Sequence, residues 1–367
     1  MKQMKRILAC AMSLALLLTM LVACGGGTTT TEAPEGSDGE SGEKRTLTVV
    51  NWQDYGSNIE QFVTQFEEEN NCTIVHVPMS SEQELLTKLR TSEAGEYDVV
   101  LPNCMILETA AAEGLLEPID PASLSNWENM NPRFQEQAEC WYEDQLYSVP
   151  WVWGSTAIAY NTDHITEPPT SINVLFDEQY AGHIAMNDDT ATAIGTAALA
   201  LGQDPNAPSD LEAVKAKLIE QKPLNYAYWT TGDEFSKIFV TGEVWVALMW
   251  SGQTAQMMQE GQPIAYTVPE DGAFGWVDTW GIPSNSENKD LALKFIDMMI
   301  SEEFQTYWVN AGGPAPVNQL SIDALDPEYA ASIGVDNESL SRLRFITFHS
   351  DEELIAWNEL WTEAKAS

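Results

Sequence analysis

Hydrophobic and polar positions along the first part of the chain predict strands and amphipathic helices in turn. A β-rich run over 46–50 is followed by apolar residues at i, i+3, i+4 and i+7 across 59–66, which is the spacing of one helix face. Short strand-like runs over 73–77 and 97–101 flank a second helical pattern at 85–89. Alternation of this kind predicts a parallel sheet with helices on its faces.

A second α/β unit follows, and the chain closes with further helical patterns. The predicted strands are 157–160, 183–186, 244–250, 264–268 and 279–282, and the predicted helices are 191–201, 211–219, 292–299 and 354–361. About 320 residues follow position 45, which is more than one hydrophobic core usually organises. We therefore expect an α/β protein of two lobes.

The N-terminal segment has the pattern of an export signal. Basic residues precede an apolar run over 7–22, which is too short for a comfortable membrane span of about 20 residues. Leu-Val-Ala-Cys at 21–24 resembles a bacterial lipobox, which implies a signal peptide of residues 1–23 and a lipid on Cys24. An ordinary signal peptide with a chance cysteine, or an uncleaved anchor, is the alternative. Residues 24–45, rich in Gly, Thr, Ser and Glu, are expected to form a flexible linker.

The mature chain is strongly acidic. Loss of the three basic residues of the leader, from 17 in the whole chain, leaves 14 basic against 56 acidic residues and a formal charge of −42. Such a charge disfavours nucleic acid as a partner, keeps an exported protein soluble and draws cations towards its surface. Cys72, Cys104 and Cys140 are an odd number without metal-like spacing, so buried thiols are expected and neither a disulfide framework nor a metal site.

Aromatic and acidic residues are concentrated where the predicted strands end. Ligands of open α/β sheets bind beyond the carboxyl ends of the strands, so these residues are the candidate binding residues. They are Trp52 and Tyr55 after the first strand, Asn103 and Met105 after the third, Asp188 and Asp189 after 183–186, Trp250 after 244–250, and Trp276 and Asp278 immediately before 279–282.

An indole face together with a carboxylate favours an organic ammonium group over a sugar hydroxyl or an anion. A cation on a tryptophan face gains about 0.5–2 kcal/mol, and a hydrogen bond to a charged partner adds about 1.5–3 kcal/mol. Asp189 and Asp278, on separate segments, are placed to serve two nitrogens of an extended polyamine. Structural alternatives stay open, since single tryptophans often pack in cores and Asp278 can be a turn residue. Asp188 or Asp189 can cap a helix that begins near Thr190.

Several ordered segments of the chain, from about Leu47 to the C-terminus, resemble the spermidine/putrescine-binding proteins of bacterial ABC importers. The segments are 51–55 (NWQDY), 97–102 (YDVVLP), 149–158 (VPWVWGSTAI), 186–189 (MNDD), 242–243 (GE), 248–252 (LMWSG), 276–278 (WVD), 281–283 (GIP) and 314–318 (PAPVN). The resemblance implies a type II periplasmic-binding-protein-like fold, in which two hinge-linked α/β lobes enclose the ligand. The implied boundaries are 46–153 and 279–320 for lobe 1, 154–278 and 321–367 for lobe 2, and hinge crossings near 153–158 and 278–281.

The resemblance also implies roles for the candidate residues. Trp52, Tyr55, Asn103 and Met105 would line lobe 1, Asp189 and Asp278 would each hold an ammonium group, and Trp250 and Trp276 would stack on the alkyl chain. Three positions depart from the family's usual pattern. Thr192 stands where an acid is common, Gln253 where putrescine-selective members tend to be acidic, and Gly313 where a tyrosine is common. Which polyamine is bound is therefore left open.

The predicted function is that of a substrate-binding lipoprotein of an ABC importer, which closes around spermidine or putrescine and delivers it to the permease. Neither enzyme activity nor a cofactor is predicted. The expected protein is a monomer held by Cys24 at the outer face of the cell membrane, or at the periplasmic face where the host has an outer membrane.

Two other functions are the alternatives. One is a binding protein of the same fold for another cationic or small solute, such as a quaternary amine or an amino acid. The other is a surface-anchored hydrolase that uses Asp188 and Asp189 as paired acids. Adjacent residues point in different directions, and the chain contains neither a nucleophile motif nor a metal-spaced histidine cluster, which disfavours the hydrolase.

Overall fold

The computed structural model describes residues 44–347 and 350–367, without the side chains of Cys104, Met105 and Asp351. The predicted signal peptide, Cys24 and nearly all of the predicted linker lie outside the described residues. The strands are β1 Arg45–Trp52, β2 Cys72–Met79, β3 Val99–Val100, β4 Trp141–Tyr142, β5 Gln145–Leu146, β6 Ser148–Asn161, β7 Ile184–Asn187, β8 Asn225–Trp229, β9 Val246–Trp250, β10 Ile264–Thr267, β11 Ala273–Gly281, β12 Ala315–Pro316 and β13 Leu343–Phe345.

Helices separate most of these strands along the chain. They are α1 Glu60–Asn70, α2 Glu82–Thr91, α3 Cys104–Ala112, α4 Pro132–Gln135, α5 Thr190–Ala200, α6 Leu211–Gln221, α7 Gly232–Phe239, α8 Ser251–Gln259, α9 Lys289–Met299, α10 Glu302–Asn310, α11 Gln319–Asp323, α12 Pro327–Ser332, α13 Asn337–Arg342 and α14 Asp351–Ala366. Among the described residues, none of these helices is long and apolar enough to cross a membrane.

Eleven strands form one sheet whose two ends are parallel and whose centre is antiparallel. The order along the sheet is β2-β1-β3-β11-β6-β9-β7-β8, with β10 and β12 paired to β6 and β13 paired to β11. At one end β1 runs parallel to β2 and β3, and at the other end β7 runs parallel to β8 and β9. The parallel pairing predicted from the sequence is thus present at both ends, whereas the centre is antiparallel except where β13 runs parallel to the first residues of β11.

Strands β6 and β11 form the centre and connect the two ends. All 14 residues of β6 are buried, and this strand pairs with β11 along its first part and with β9 and β10 along its second. The register of the two strands shifts between Asp278 and Thr279, and Trp151 of β6 is the extra residue. Such a bulge bends the strand and increases its twist. The ranges 153–158 and 278–281, expected to be hinge crossings, fall on these two strands.

The structure corrects the sequence-based element boundaries around this centre. β11 begins at Ala273 and not at 279, so Trp276 and Asp278 lie inside the strand and not before it. Gly275 and Asp278 break the apolar pattern that marks a strand, although most of β11 is buried against β6. β8 was not predicted, because the aromatic run 226–229 contains no period that separates a strand from a loop. α7 was also not predicted, although Phe235 and Phe239 mark one apolar helix face.

Buried side chains form one main cluster and two smaller clusters. The main cluster contains residues of β1, β3, α2, α9 and α10 and continues through the centre of the sheet, whereas the smaller ones lie between β6, β7 and β9 and between α5, α6 and α14. Each fully buried aliphatic or phenylalanine side chain stabilises the fold by about 1.5–3 kcal/mol. Cys72 and Cys140 are buried free thiols, as expected.

Candidate functional site

Tyr55 and Asp278 form the best-defined polar contact of the candidate site. Asp278 lies on β11 directly before the register shift, and Tyr55 lies in the turn that follows β1. The Tyr55 hydroxyl donates a hydrogen bond to Asp278 Oδ2 at 2.7 Å. The tyrosine ring is held edge-to-face against Trp151 and Trp308, with centroid distances of 5.5 and 5.3 Å. The aromatic core thus fixes the position of a hydroxyl that binds the carboxylate.

The turn that carries Tyr55 requires a glycine at the next position. Gly56 has a φ of 74°, which side chains rarely adopt, and a Cβ there would lie 2.6 Å from the ring of Trp308. Gly313 packs against the same indole, since a Cβ at 313 would lie 2.7 Å from its ring. The resemblance leads one to expect a tyrosine at position 313. In this chain the residue is Gly313, and the indole of Trp308 lies against it.

Burial shifts the acid–base properties of the pair. Desolvation raises the pKa of Asp278 to about 6, and the hydrogen bond from Tyr55 partly opposes this effect. The pKa of Tyr55 lies well above its ordinary value, because the ring is desolvated and its hydroxyl faces the Asp278 carboxylate. Asp278 is therefore a carboxylate that is costly to keep charged without a cation.

Sequence reasoning missed a second acid next to this pair. Glu82 is the first residue of α2, and its Oε2 accepts a hydrogen bond from the backbone N–H of Asn103 at 3.2 Å. Asn103 in turn forms an isolated antiparallel bridge with Asp278. Burial raises the pKa of Glu82 to about 8, and the nearby charge of Asp278 adds to this increase. The sequence carries little signal for Glu82, since the predicted helical pattern begins only at 85 and acids are common throughout this chain.

Trp250, Trp276 and Asp278 share one face of the sheet. On β6, Trp250 lies opposite Thr156 and Trp276 lies opposite Gly154, while Asp278 lies opposite the residue two positions before Gly154. Directly paired residues point to the same side of a sheet, and so do residues two apart. The three candidates are therefore brought together by β6, as an ammonium site with aromatic walls requires.

The two tryptophans of this face are packed differently. A Cβ at position 154 would lie 2.2 Å from the Trp276 ring, so the indole lies directly over the glycine backbone, and its buried Nε1 has no hydrogen-bond partner among the described residues. Trp250 is partly exposed and meets the buried ring of Trp229 edge-to-face at 4.8 Å. Trp52, at the end of β1, is partly buried against the main hydrophobic cluster.

Asp189 and Thr192 have the arrangement of a helix cap. Asp189 is exposed and is the N-cap of α5, where its Oδ1 accepts a hydrogen bond from the backbone N–H of Thr192 at 2.8 Å. The Thr192 side chain is buried. The capping role that the sequence left open is thus present, and the ammonium role of Asp189 stays a prediction.

Asp188 and Gln253 are each hydrogen-bonded to partners other than Asp278. Asp188 accepts a hydrogen bond from Trp361 Nε1 at 2.8 Å and pairs with Lys365. Because Asp188 and Asp189 have separate partners, they are not arranged as two carboxyls on one bond. Gln253 donates to the Ser236 hydroxyl at 3.2 Å and lies against the start of α7. The side chain of Met105 lies outside the described part of the structure.

Two other kinds of site are relevant here: groups of possible metal ligands and a surface cavity. In residues 44–347 and 350–367 there is no group of three His, Cys, Asp or Glu side chains that could hold a metal ion. A cavity of about 690 Å³ lies beside Arg133, Arg344 and Phe345, and its lining shares no residue with the candidate site. The side chains that form the candidate site are aromatic rings and carboxyl groups.

Comparison with known proteins bears on this arrangement. The family of bacterial extracellular solute-binding proteins matches residues 61–336. The spermidine/putrescine-binding periplasmic protein of Salmonella typhimurium is 28% identical to this chain, with 83% of this chain and 88% of the relative covered. The putrescine/cadaverine-binding protein of Pseudomonas aeruginosa is 26% identical, with coverages of 87% and 93%.

A solved structure agrees with the fold as well. The spermidine/putrescine ABC transporter substrate-binding protein PotD of Streptococcus pneumoniae is 25% identical and superposes with a TM-score of 0.78, covering 88% of this chain and 99% of that one. The two-lobe type II α/β fold expected from the sequence is thereby confirmed.

Proposed function

The chain belongs to the family of bacterial extracellular solute-binding proteins, and we propose that it captures a polyamine such as spermidine or putrescine for an ABC importer. One observation carries this proposal: Trp250, Trp276 and Asp278 share one sheet face, and Asp278 forms no ion pair with any described residue. A ligand cation would supply the missing charge. The names of the Salmonella and Pseudomonas relatives support the same ligand class.

The chemistry of the face selects an alkyl amine. A carboxylate that accepts from an ammonium contributes about 1.5–3 kcal/mol, and a tryptophan face adds about 0.5–2 kcal/mol. The methylene groups of a polyamine would lie on Trp250 and Trp276, and one ammonium would meet Asp278. A sugar would leave Asp278 without a cation, and an anion would be repelled by the carboxylate.

Capture would be completed by hinge closure across β6 and β11. We keep the expected boundaries, with lobe 1 as 46–153 and 279–320 and lobe 2 as 154–278 and 321–367. In support, the boundaries 153/154 and 278/279 fall inside β6 and β11, the two long paired strands that run from one end of the sheet towards the other. The register of β6 and β11 shifts directly after Asp278, and we propose that the two strands bend at this bulge when the lobes close. Closure would bring the exposed Asp189 towards a second ammonium group.

The remaining parts of the proposal concern where the protein works. We propose that Cys24 carries a lipid that holds the monomer at the outer face of the cell membrane, with residues 24–45 as a linker long enough to reach a permease. The closed form would be presented to the transmembrane subunits of the importer. The family consists of solute-binding proteins, which agrees with the expectation that the chain is not an enzyme.

Calorimetric titration of the mature protein tests the ligand class. At least one of spermidine and putrescine is expected to bind saturably with one site per chain, and the 13 tryptophans make a fluorescence change an independent readout. Choline and an amino acid panel, titrated in parallel, distinguish the alternative of another small cation. Absence of heat and of fluorescence change at millimolar spermidine and putrescine would contradict the proposal.

A further inference from the structure

Glu82 and Asp278 place two desolvated carboxyl groups within electrostatic reach of each other. Tyr55 donates to Oδ2 of Asp278, and the Asn103 backbone donates to Oε2 of Glu82. Among the described residues, Oδ1 of Asp278 and Oε1 of Glu82 have no hydrogen-bond donor, and neither carboxyl has a salt bridge. Two ionised carboxyl groups in such a position repel each other, so one of them tends to stay protonated unless a cation lies near both.

The other acid in the first turn of α2 is already paired. Glu84, on the same helix as Glu82, accepts from Ser80 and forms an ion pair with Lys88. The groups that face the pair from other elements are the Tyr55 hydroxyl after β1 and the Asn103 backbone before α3. Both of these groups donate a hydrogen bond to an acid of the pair, but neither of them carries a positive charge.

We propose that Glu82 is a specificity-determining residue of the binding site, whose carboxyl and that of Asp278 together hold one primary ammonium group of the ligand. This inference rests on the proposed function. An ammonium group has three N–H donors, so it can satisfy Oε1 of Glu82 and Oδ1 of Asp278 at once. Glu82 would thus replace, at the opposite end of the ligand, the carboxylate that is missing at Thr192.

This arrangement makes ligand capture release a proton. With its pKa at about 8, Glu82 is mostly protonated at pH 7 in the free protein, whereas the ammonium complex requires the ionised form. Polyamine affinity should therefore rise by about tenfold or more between pH 6.5 and 8.5, since a group with a pKa of about 8 must lose its proton over this range. A site that depends on Asp278 alone would change little there, because its pKa is about 6.

The variant Glu82→Gln separates a ligand role from a structural role. Glutamine keeps an oxygen that accepts from the Asn103 N–H, so a purely structural function would be preserved, but the ionisable group is lost. Glu68→Gln is the matched control, because it removes the same charge from an exposed position of α1. Calorimetry of spermidine and putrescine binding in buffers of different ionisation enthalpy gives both the affinity and the number of protons released.

We expect Glu82→Gln to bind spermidine or putrescine at least tenfold more weakly than the parent at pH 8.5, with no proton release at pH 7 and a flat pH profile. Glu68→Gln should behave like the parent. If the parent binds a polyamine and Glu82→Gln keeps both its affinity at pH 8.5 and its proton release, this inference is overturned while the proposed function stands. If the parent binds neither polyamine, the proposed function and this inference both fail. Circular dichroism confirms that each variant is folded.

Discussion

The two ends of the candidate site hold their carboxyl groups in opposite ways. At the first end, Glu82 and Asp278 are partly buried, have raised pKa values and lack a cationic partner among the described residues. At the second end, Asp189 is exposed and caps α5, while Asp188 is paired with Lys365. At the first end, ionising the carboxyl groups costs free energy in the free protein, because they are desolvated. At the second end, the carboxyl groups already have a hydrogen-bond donor or an ion-pair partner.

This difference indicates where binding free energy originates. A desolvated carboxyl without a partner raises the free energy of the free protein, and a bound cation removes that cost. A solvated carboxyl that already accepts a backbone N–H gains less from an ammonium group, because water and the helix already stabilise its charge. We therefore expect the first end to dominate affinity and the second end to act mainly in the closed form.

The largest effect is expected from Asp278→Asn. This change keeps the size of the side chain but removes the charge that faces the ammonium, so affinity should fall by about 1.5–3 kcal/mol, which is roughly 10-fold to 150-fold. Calorimetric titration with spermidine and putrescine measures the loss. Asp163→Asn, at an exposed position of the turn that follows β6, removes the same charge away from residues 152–156 of that strand, which the site faces, and should bind normally. Equal affinities for the two variants would show that the first end does not hold the ligand.

The next effect concerns the stability of the free protein. The pKa values of Glu82 and Asp278 are raised above their unfolded values, so their contribution to stability is fully present below about pH 4 and is lost as pH rises through about 6 and then about 8. Without ligand, Glu82→Gln should therefore be more stable than the parent at pH 8.5 and similar to it at pH 5. Thermal unfolding at the two pH values measures this difference. A parent that gains stability relative to the variant as pH rises would contradict it.

The sequence predicts much of the fold at the ends of the sheet but little at its centre. The β-α-β pattern over 46–101 has regular periods, because each strand there is a short apolar run and each helix has one apolar face. The centre depends on pairings between β6 and β11, which are far apart in the sequence. Gly275 and Asp278 interrupt the pattern of β11, and only the contacts with β6 make this segment a strand.

The candidate site shows the same limit. Trp276 and Asp278 could be chosen from residue type and position, and the pairing with β6 places them on one face. Glu82 could not be distinguished from the many surface acids of an acidic chain, because its burial follows from a contact with the Asn103 backbone. For Asp189 the cap was readable from the sequence, but the position of its carboxylate relative to the ligand depends on the motion of the lobes.

A smaller effect is expected from Trp276→Ala. Removing the indole from above Gly154 deletes a cation–π and stacking surface worth about 0.5–2 kcal/mol, so affinity should fall by roughly 2-fold to 30-fold. Trp245→Ala is the control, because that ring is stacked on His183 and has no ring contact with the described residues of the site. Trp276→Phe should restore part of the loss, since it returns an aromatic face. If the phenylalanine and alanine variants bind equally, Trp276 contributes packing and not ligand contact.

The smallest effect is expected from Asp189→Asn, and it tests the second end directly. Asparagine caps helices about as well as aspartate, so the bond to the Thr192 N–H and the stability of α5 should be kept while the charge is lost. A role in capping alone predicts unchanged polyamine affinity, whereas a role in binding the second ammonium predicts a loss on the order of 0.5–1 kcal/mol, as for a solvated ion pair. Asp210→Asn, at the N-cap of α6, is the matched control for a capping aspartate remote from the ligand. Titration of the two variants with spermidine, together with their thermal unfolding, decides between these roles. A loss for Asp189→Asn as large as that for Asp278→Asn would remove the difference between the two ends.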